Sequence, residues 1–477
     1  MTKHRPIHQH AKTQTQPVIL NIHALTHDGR GIASYDDTHG NNSGKKVFVD
    51  FALPNETVKV AITGNKKSFD EGRAIEVLSP STKRQMPFCR HFGVCGGCSL
   101  QHLHADEQLK HKQSVLANHL THHAKVTPNH WLTPVVGKRT GYRTKARLGV
   151  RYLPKSGQLI VGFRKKNSNF LTDIDDCPIL DNRINHHLKT LKATLAQLKG
   201  VGGITHLEFA TGDESSQVAM VIRHTQKLNK QDRQSLIKLC QHLNWQLYLQ
   251  PHGENSVHRI DSNELPNTQS TPPSGGLFYQ LPNFDIRLEC SPLDFTQVNL
   301  SVNSPMVLLA CDLLDLQKGE TVLDLFCGLG NFSLPLARCV GETGRVIGVE
   351  GSAEMVKRAT MNAAQNGICH AEFYTQDLSQ DFSDKPWAKR VDALLIDPPR
   401  SGAATVMAYL GNFQAKRIVY VSCDPITLAR DTATIIAQGY RLTHAGVMDM
   451  FCHTGHVESI ARFEKIHPIS PTQNNQS

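Results

Sequence analysis

The sequence predicts an α/β protein: a Rossmann-like, doubly wound sheet in its C-terminal part, an N-terminal OB-like β-barrel, and a central α+β region between them. Three observations predict it. From Ser291 to Glu464 apolar strand-like runs alternate with helical stretches, the pattern of a parallel sheet covered on both faces. From Pro17 to Leu78 short β-type runs are separated by Gly, Asn and Asp, as in a compact barrel. The intervening region mixes helices and strands with three clustered cysteines, a remote fourth and a long basic stretch. A chain of 477 residues holds about three domains of ordinary size. The expected division is a disordered tail over residues 1–15, the barrel over 16–80, the central domain over 81–290, the doubly wound domain over 291–466, and a second disordered tail over 467–477.

Composition narrows the class. The 52 Lys and Arg outnumber the 42 Asp and Glu, and a pI near 9.0 favours an anionic partner. No apolar run approaches the roughly 20 residues that span a bilayer, and the polar start Met1 to Gln16 lacks a signal-peptide core. A cytoplasmic chain is therefore expected, with no membrane partner and no obligate protein partner evident. Twelve cysteines in a reducing compartment do not make a disulfide framework, so clustered ones point to a metal site and scattered ones to core packing. His4, His8 and His10 fall in the tail and carry nothing beyond adventitious metal affinity.

In the barrel, Val18–Ile22, Lys46–Phe51, Thr57–Thr63 and Ala74–Leu78 read as strands, with Val58, Val60 and Ile62 alternating as a half-buried strand requires. Asp28-Gly29-Arg30-Gly31 supplies a turn. Barrels of this size bind oligonucleotides and also serve as plain protein modules.

Cys89, Cys95 and Cys98 follow, with a remote fourth candidate at Cys177. Cys95-Gly-Gly-Cys98 has ligand spacing, and four thiolates suit either an iron–sulfur cluster or a tetrahedral structural zinc. No compact Cys-x3-Cys-x2-Cys run is present, which argues against radical chemistry, and a closed four-thiolate site leaves no open position for substrate, so a structural role is expected. Between Trp131 and Phe170 lie ten Lys or Arg and no acidic residue. Arg143, Lys145, Arg147 and Arg151 fall on one strand face, and Thr144, Ala146, Leu148 and Val150 on the other. With Tyr142, Tyr152, Phe163 and Phe170 available for stacking and Arg164-Lys165-Lys166 extending the patch, RNA is the expected partner. Beyond it, Asn185–Leu198 and Lys230–Leu243 read as helices, Gly203–Thr211 and Gln217–Arg223 as strands, and His252–Gly276 as a polar loop.

The doubly wound part opens with Thr321-Val-Leu-Asp-Leu-Phe-Cys-Gly-Leu-Gly-Asn-Phe332. After Gly328 and Gly330 the third glycine of a dinucleotide fingerprint is missing, which disfavours a pyrophosphate. A strand ending at Asp324 and a tight Gly turn suit S-adenosylmethionine. Glu350 stands 26 residues later at the end of the second strand, placed for ribose hydroxyls, and Asp377 recurs at the third, suited to the adenine amino group. Asp397-Pro-Pro-Arg400 closes the fourth strand, Arg400 offering a phosphate or base contact. The fifth strand stops at Ser422-Cys423-Asp424-Pro425, where a thiol at a helix N-terminus is expected to favour the thiolate. Glu458, after His453-Thr-Gly-His-Val, faces the same crevice and suits a base.

These phrases, with Asp294-Phe-Thr-Gln-Val-Asn299 and Asp397-Pro-Pro-Arg-Ser-Gly402, resemble the RumA/TrmA family of RNA uridine-5 methyltransferases across almost the whole chain. The barrel, which resembles a TRAM domain, and the cysteine cluster look like its RlmD branch, acting on 23S ribosomal RNA. The resemblance implies that Gln297, Phe326, Asn331, Glu350, Asp377 and Asp397 line the S-adenosylmethionine pocket. It implies that Cys89, Cys95, Cys98 and Cys177 hold a [4Fe-4S] cluster, and that Cys423 and Glu458 are catalytic. Asp424 departs from the family, where many relatives carry Asn, and adds a negative charge beside the nucleophile. Alternatives are a different RNA site, whether another 23S uridine or tRNA, an inactive RNA-binding relative, and a methyltransferase acting on cytosine carbon 5 or an exocyclic amine.

Overall fold

The computed structural model describes residues 16–36, 43–261 and 276–466. Both expected tails, and residues 262–275 of the polar loop, lie outside the described residues. The chain divides into two units, residues 1–88 with 98–108 and residues 89–97 with 109–477.

The first unit holds a six-stranded sheet in the order Val18–Asn21, Thr57–Asn65, Phe69–Ser79, Lys46–Asp50, Gly31–Ser34, Ala24–Leu25. Val58 and Val60 point inward as their alternation requires and pack with Leu20, Ile22, Val47 and Val49. The third strand starts at Phe69, well before the apolar run that marks it in the sequence. Its polar beginning pairs all the same, because Asp70 is buried between Lys45 Nζ at 2.6 Å and the Tyr35 hydroxyl at 3.0 Å. Glu56 is likewise buried and accepts from the backbone of Leu53 and from Arg84.

In the second unit the central sheet is ordered His258–Arg259, Trp245–Gln250, Val218–His224, Ile204–Thr211, Lys145–Leu153, Gln158–Gly162. The helix Lys230–Leu243 has the bounds its pattern predicts: Asn229 Oδ1 caps it by accepting from Asp232 N at 2.8 Å, and Asn244 ends it in the left-handed region. The expected helix 185–198 appears as Leu188–Ala196 behind a short turn, Asn182–Asn185.

The second sheet carries the site. Its strands are β1 (Thr321–Leu325), β2 (Arg345–Glu350), β3 (Ala371–Thr375), β4 (Ala393–Ile396), β5 (Arg417–Ser422), β6 (Tyr440–Met448) and β7 (Glu458–Lys465). They lie in the order β3-β2-β1-β4-β5-β7-β6, with His130–Trp131 added beside β6. Strands β1 to β5 are parallel, and β7 runs antiparallel between β5 and β6. The helices are α1 (Leu300–Leu314), α2 (Ser333–Val340), α3 (Ala353–Gln365), α4 (Ala404–Phe413) and α5 (Pro425–Ala437). Burial on both faces makes the strands continuous apolar runs such as Ala393–Ile396. The strand order reverses between β1 and β4, and ligands of open α/β sheets bind above the carboxyl ends at that point. No helix among the described residues is long and apolar enough to cross a membrane.

Candidate active site

At the end of β1 the chain turns through Phe326, Gly328 and Gly330 at φ +65°, +56° and +98°. A Cβ on Gly330 would stand 2.5 Å from Leu334 Cδ1, so only glycine fits there, whereas one on Gly328 would meet only Met355 Cε at 3.6 Å. Glu350, half-buried at the end of β2, accepts from Gly328 N at 3.2 Å and from Ser352 N at 2.9 Å, tying the glycine turn to the second strand. Asp324 departs from expectation. It lies within β1, which runs on to Leu325, and is fully buried, accepting from the Ser333 hydroxyl. Burial pushes it up to about 8, so it is an internal strut and not a ligand at a strand end.

Asp377 lies beyond β3 and is exposed. Hydrogen bonds from the Ser379 hydroxyl at 2.7 Å and backbone at 2.9 Å hold it below the usual carboxylate range. Asn331 exchanges two amide hydrogen bonds of 2.9 Å with Asn303 of α1 and accepts from the Tyr279 hydroxyl at 3.0 Å. Gln297 is buried, and its segment is held by Thr144, whose backbone N–H donates to Val298 O at 2.9 Å. Asn303, Tyr279 and Thr144 carry no motif signal and were not expected at the site.

Asp397, Cys423 and Glu458 come together. Ser422 pairs with Ser459 across β5 and β7, so Cys423 and Glu458 are the next positions outward, and Asp397 continues β4 on the other side of β5. Burial, then Glu458 and Asp397, push the half-buried Cys423 thiol up to about 11, against the pull of Arg400. This corrects the expectation that the helix N-terminus frees the thiolate. The first-turn amides of α5 are taken by Asp424, whose Oδ1 accepts from Ile426 N at 2.8 Å and Thr427 N at 3.3 Å. The unusual acid is thus the cap of the helix. Burial, then Asp397, push Glu458 up to about 8, opposed by Lys112 and Arg400. Asp397 is pushed up to about 7 by burial. The crevice therefore holds protons at neutral pH, and the exposed Arg400 stands at its mouth.

The basic strand alternates as expected, with Thr144, Ala146, Leu148 and Val150 buried. Its partners come from elsewhere: Arg147 pairs with Glu208 at 3.0 Å on the neighbouring strand, and Lys145 Nζ donates to the backbone carbonyl of Asp294. Arg151, Arg164 and Lys165 are exposed. Of the four aromatics, Tyr142 is buried with its hydroxyl on Cys452 O and does not serve for stacking, while Tyr152 and Phe163 are partly buried against the central core. Phe170 is 66% exposed.

Among the described residues no three His, Cys, Asp or Glu side chains converge as an ion-holding group. The segment 89–97 is nonetheless stitched to the rest of its unit: Gly96 N donates to Arg164 O at 2.9 Å, Lys166 N to Val94 O at 3.0 Å, and Arg90 pairs with Asp176, the neighbour of Cys177. Cys95 Sγ accepts from Gly97 N at 3.4 Å, and the Cys89 sulfur from His91 and Phe92. Such N–H donors suit thiolate ligands.

A doubly wound sheet with a glycine turn and a carboxylate at its switch point is a nucleotide-type ligand site of the α/β class, of the kind that methyltransferases use. The family model described as tRNA (Uracil-5-)-methyltransferase matches residues 104–466, and the chain belongs to that family. It is 55% identical over 94% of its length to the Psychrobacter arcticus 23S rRNA (uracil(1939)-C(5))-methyltransferase RlmD, covering 91% of that protein. It is 52% identical to the Acinetobacter baumannii protein of the same name, over 96% of this chain and 98% of that one. In fold it is similar to the Pyrococcus abyssi tRNA (uracil-54, C5)-methyltransferase solved in complex with S-adenosyl-L-homocysteine, with a TM-score of 0.68 and 21% identity over 94% of this chain and 100% of that one.

Proposed function

We propose that the chain transfers a methyl group from S-adenosylmethionine to carbon 5 of a uridine in 23S ribosomal RNA, at the position, uracil 1939, for which its relatives are named. The observation that carries this is the juxtaposition of a strand-end thiol with a buried carboxyl group, Cys423 beside Glu458. Carbon 5 of uracil is a poor nucleophile. The Cys423 thiolate adds to carbon 6, the ring takes up the electron pair as an enolate, and carbon 5 of that enolate takes the methyl group as its bond to the sulfonium breaks and S-adenosylhomocysteine leaves. Glu458, ionised, then removes the proton from carbon 5, and the electron pair of that C–H bond restores the double bond as the thiolate leaves.

S-adenosylmethionine supplies an activated methyl on a cationic sulfur, a charge that favours ionisation of Asp397 and Glu458, whose protons burial otherwise holds. In this reading Gln297, Phe326, Asn331, Glu350, Asp377 and Asp397 line the donor pocket. Glu350 is held against the glycine turn, while Asn331, whose amide is engaged with Asn303, shapes the wall. The target base leaves its stack to reach Cys423. The OB-like barrel, read as a TRAM domain, and the exposed Arg151, Arg164 and Lys165 beside Phe170 grip the flanking strand.

The direct experiment incubates the protein and S-adenosylmethionine with 23S ribosomal RNA from a strain lacking this modification, then maps the product nucleotide. One 5-methyluridine at position 1939 is expected; an unmodified RNA, or a methylated cytosine or exocyclic amine, overturns the reading.

Cys89, Cys95, Cys98 and Cys177 hold a structural [4Fe-4S] cluster in the same reading, supported by the Cys95-Gly-Gly-Cys98 spacing and the N–H donors at Cys89 and Cys95. Protein purified without oxygen is expected to be brown, with about four iron and four sulfide per chain. A colourless preparation containing zinc replaces the cluster with a tetrahedral site on the same ligands.

A further inference from the structure

The helix Ala105–His119 carries a lysine that the mechanism does not use. Lys112 is 0% exposed. A buried ammonium costs several kcal/mol unless it is paired. Here Nζ donates to Asp449 Oδ1 at 2.8 Å and to the Phe451 carbonyl at 3.0 Å. Both acceptors belong to the connection between β6 and β7, and Asp449 follows Met448, whose ladder partner is Glu458.

The same connection is held from its other side. Asp449 N donates to Val135 O at 2.8 Å, Tyr142 donates to Cys452 O at 3.3 Å, and the His453 ring lies 3.0 Å from Arg139 O. His453 is in the left-handed region at φ +64°, a conformation the surrounding contacts must hold. Arg139 stands 3.9 Å from the Asp449 carboxylate. Two cations thus face Asp449, one residue beyond the ladder partner of Glu458.

We infer that Lys112 is a positioning residue for Glu458: it fixes the segment that delivers the base to the crevice and supplies the buried positive charge opposite it. This rests on the assignment of Glu458 as the base. The charged and titratable groups facing Glu458 are Asp397 from the end of β4, Cys423 from the end of β5, Arg400 from the turn after β4, and Lys112. Those facing Lys112 are Asp449, Cys452, His453 and His456. Among the described residues Lys112 and Arg400 oppose the other acids at Glu458, and Arg400 is exposed.

The test follows single-turnover methylation of uridine RNA from pH 6 to 10, separating formation of the protein–RNA adduct from its release. Lys112→Met is expected to form the adduct within about twofold of the natural protein. It releases the adduct about tenfold more slowly at pH 7, with the limb that reports ionisation of Glu458 moved up by about one pH unit. Lys112→Arg keeps the natural profile. Asp449→Asn, which leaves the two cations less compensated, moves the limb the other way, and it stands as the test if Lys112→Met does not fold. A merely structural role cannot give shifts of opposite sign. An unmoved limb in Lys112→Met, or the same shift in Lys112→Arg, overturns the inference. If Glu458→Gln itself releases the adduct at the natural rate, the base assignment fails instead.

Discussion

A Cys423→Ala variant is expected to lose methyl transfer by about 10⁴- to 10⁶-fold, the range that follows removal of a member of a covalent catalytic apparatus. RNA affinity should stay within about twofold of the natural protein, because the thiol is small and half-buried and the cationic surface is untouched. The loss is chemical and not electrostatic. With the thiol pushed up to about 11, position 423 is uncharged at neutral pH, so alanine leaves the charge seen by Glu458 and Asp397 unchanged. The same value fixes a sign. Activity needs the thiolate, so in the natural protein the rate of adduct formation rises with pH throughout the neutral and mildly alkaline range. RNA carrying 5-fluorouridine, which cannot lose its substituent from carbon 5, should trap the natural protein as an adduct stable to denaturation and should not trap the variant. Turnover by Cys423→Ala near the natural rate would falsify covalent catalysis and leave an exocyclic amine as the acceptor.

The parts of this molecule that the sequence makes legible are those whose cause is local. The helix Lys230–Leu243 has both its caps beside it in the chain, and the placement of Cys423 follows from an apolar strand cut short by Asp-Pro. Where the cause is distant, the reading falters. The basic stretch contains no acid, yet Arg147 finds Glu208 on the adjacent strand and Lys145 finds the Asp294 carbonyl, so only part of that surface faces outward. Tyr142 has the composition of a stacking residue, but tertiary packing buries it against the β6–β7 connection. Asp324 sits in the fingerprint of a ligand-binding strand end, and its burial depends on Ser333 at the start of α2. Even at Cys423 the local cue misled, because the helix dipole is visible in sequence and the competing cap Asp424 and the carboxyls of Asp397 and Glu458 become decisive only once the strands are in register. Lys112 gives no signal at all, since nothing around it announces a partner more than three hundred residues away.

Glu458→Gln separates the two halves of the reaction. Glutamine has nearly the same shape, and adduct formation and methyl transfer precede the step that needs a base, so a single methyl group should still reach carbon 5. Release should then fall by roughly 10²- to 10⁴-fold, the usual contribution of a positioned general base. The methylated protein–RNA adduct should therefore accumulate on ordinary uridine RNA, visible as a band of reduced mobility under denaturing conditions. In the natural protein release depends on ionised Glu458, so its rate should climb through about pH 8 and level above it, and in the variant that limb should be missing. Stability should move oppositely to activity. Because burial raises Glu458 from 4.5 to about 8, the folded protein binds this proton more tightly than the unfolded chain does. The resulting stabilisation is fully present below about pH 4.5 and is lost as pH rises through about 8. Glutamine cannot ionise, so the melting temperature of the variant should fall less between about pH 4.5 and about pH 9 than that of the natural protein. Rapid release by Glu458→Gln, with no trapped species, would assign the proton on carbon 5 to another acceptor, for which Asp397, a carboxyl of the same crevice pushed up to about 7, is the candidate.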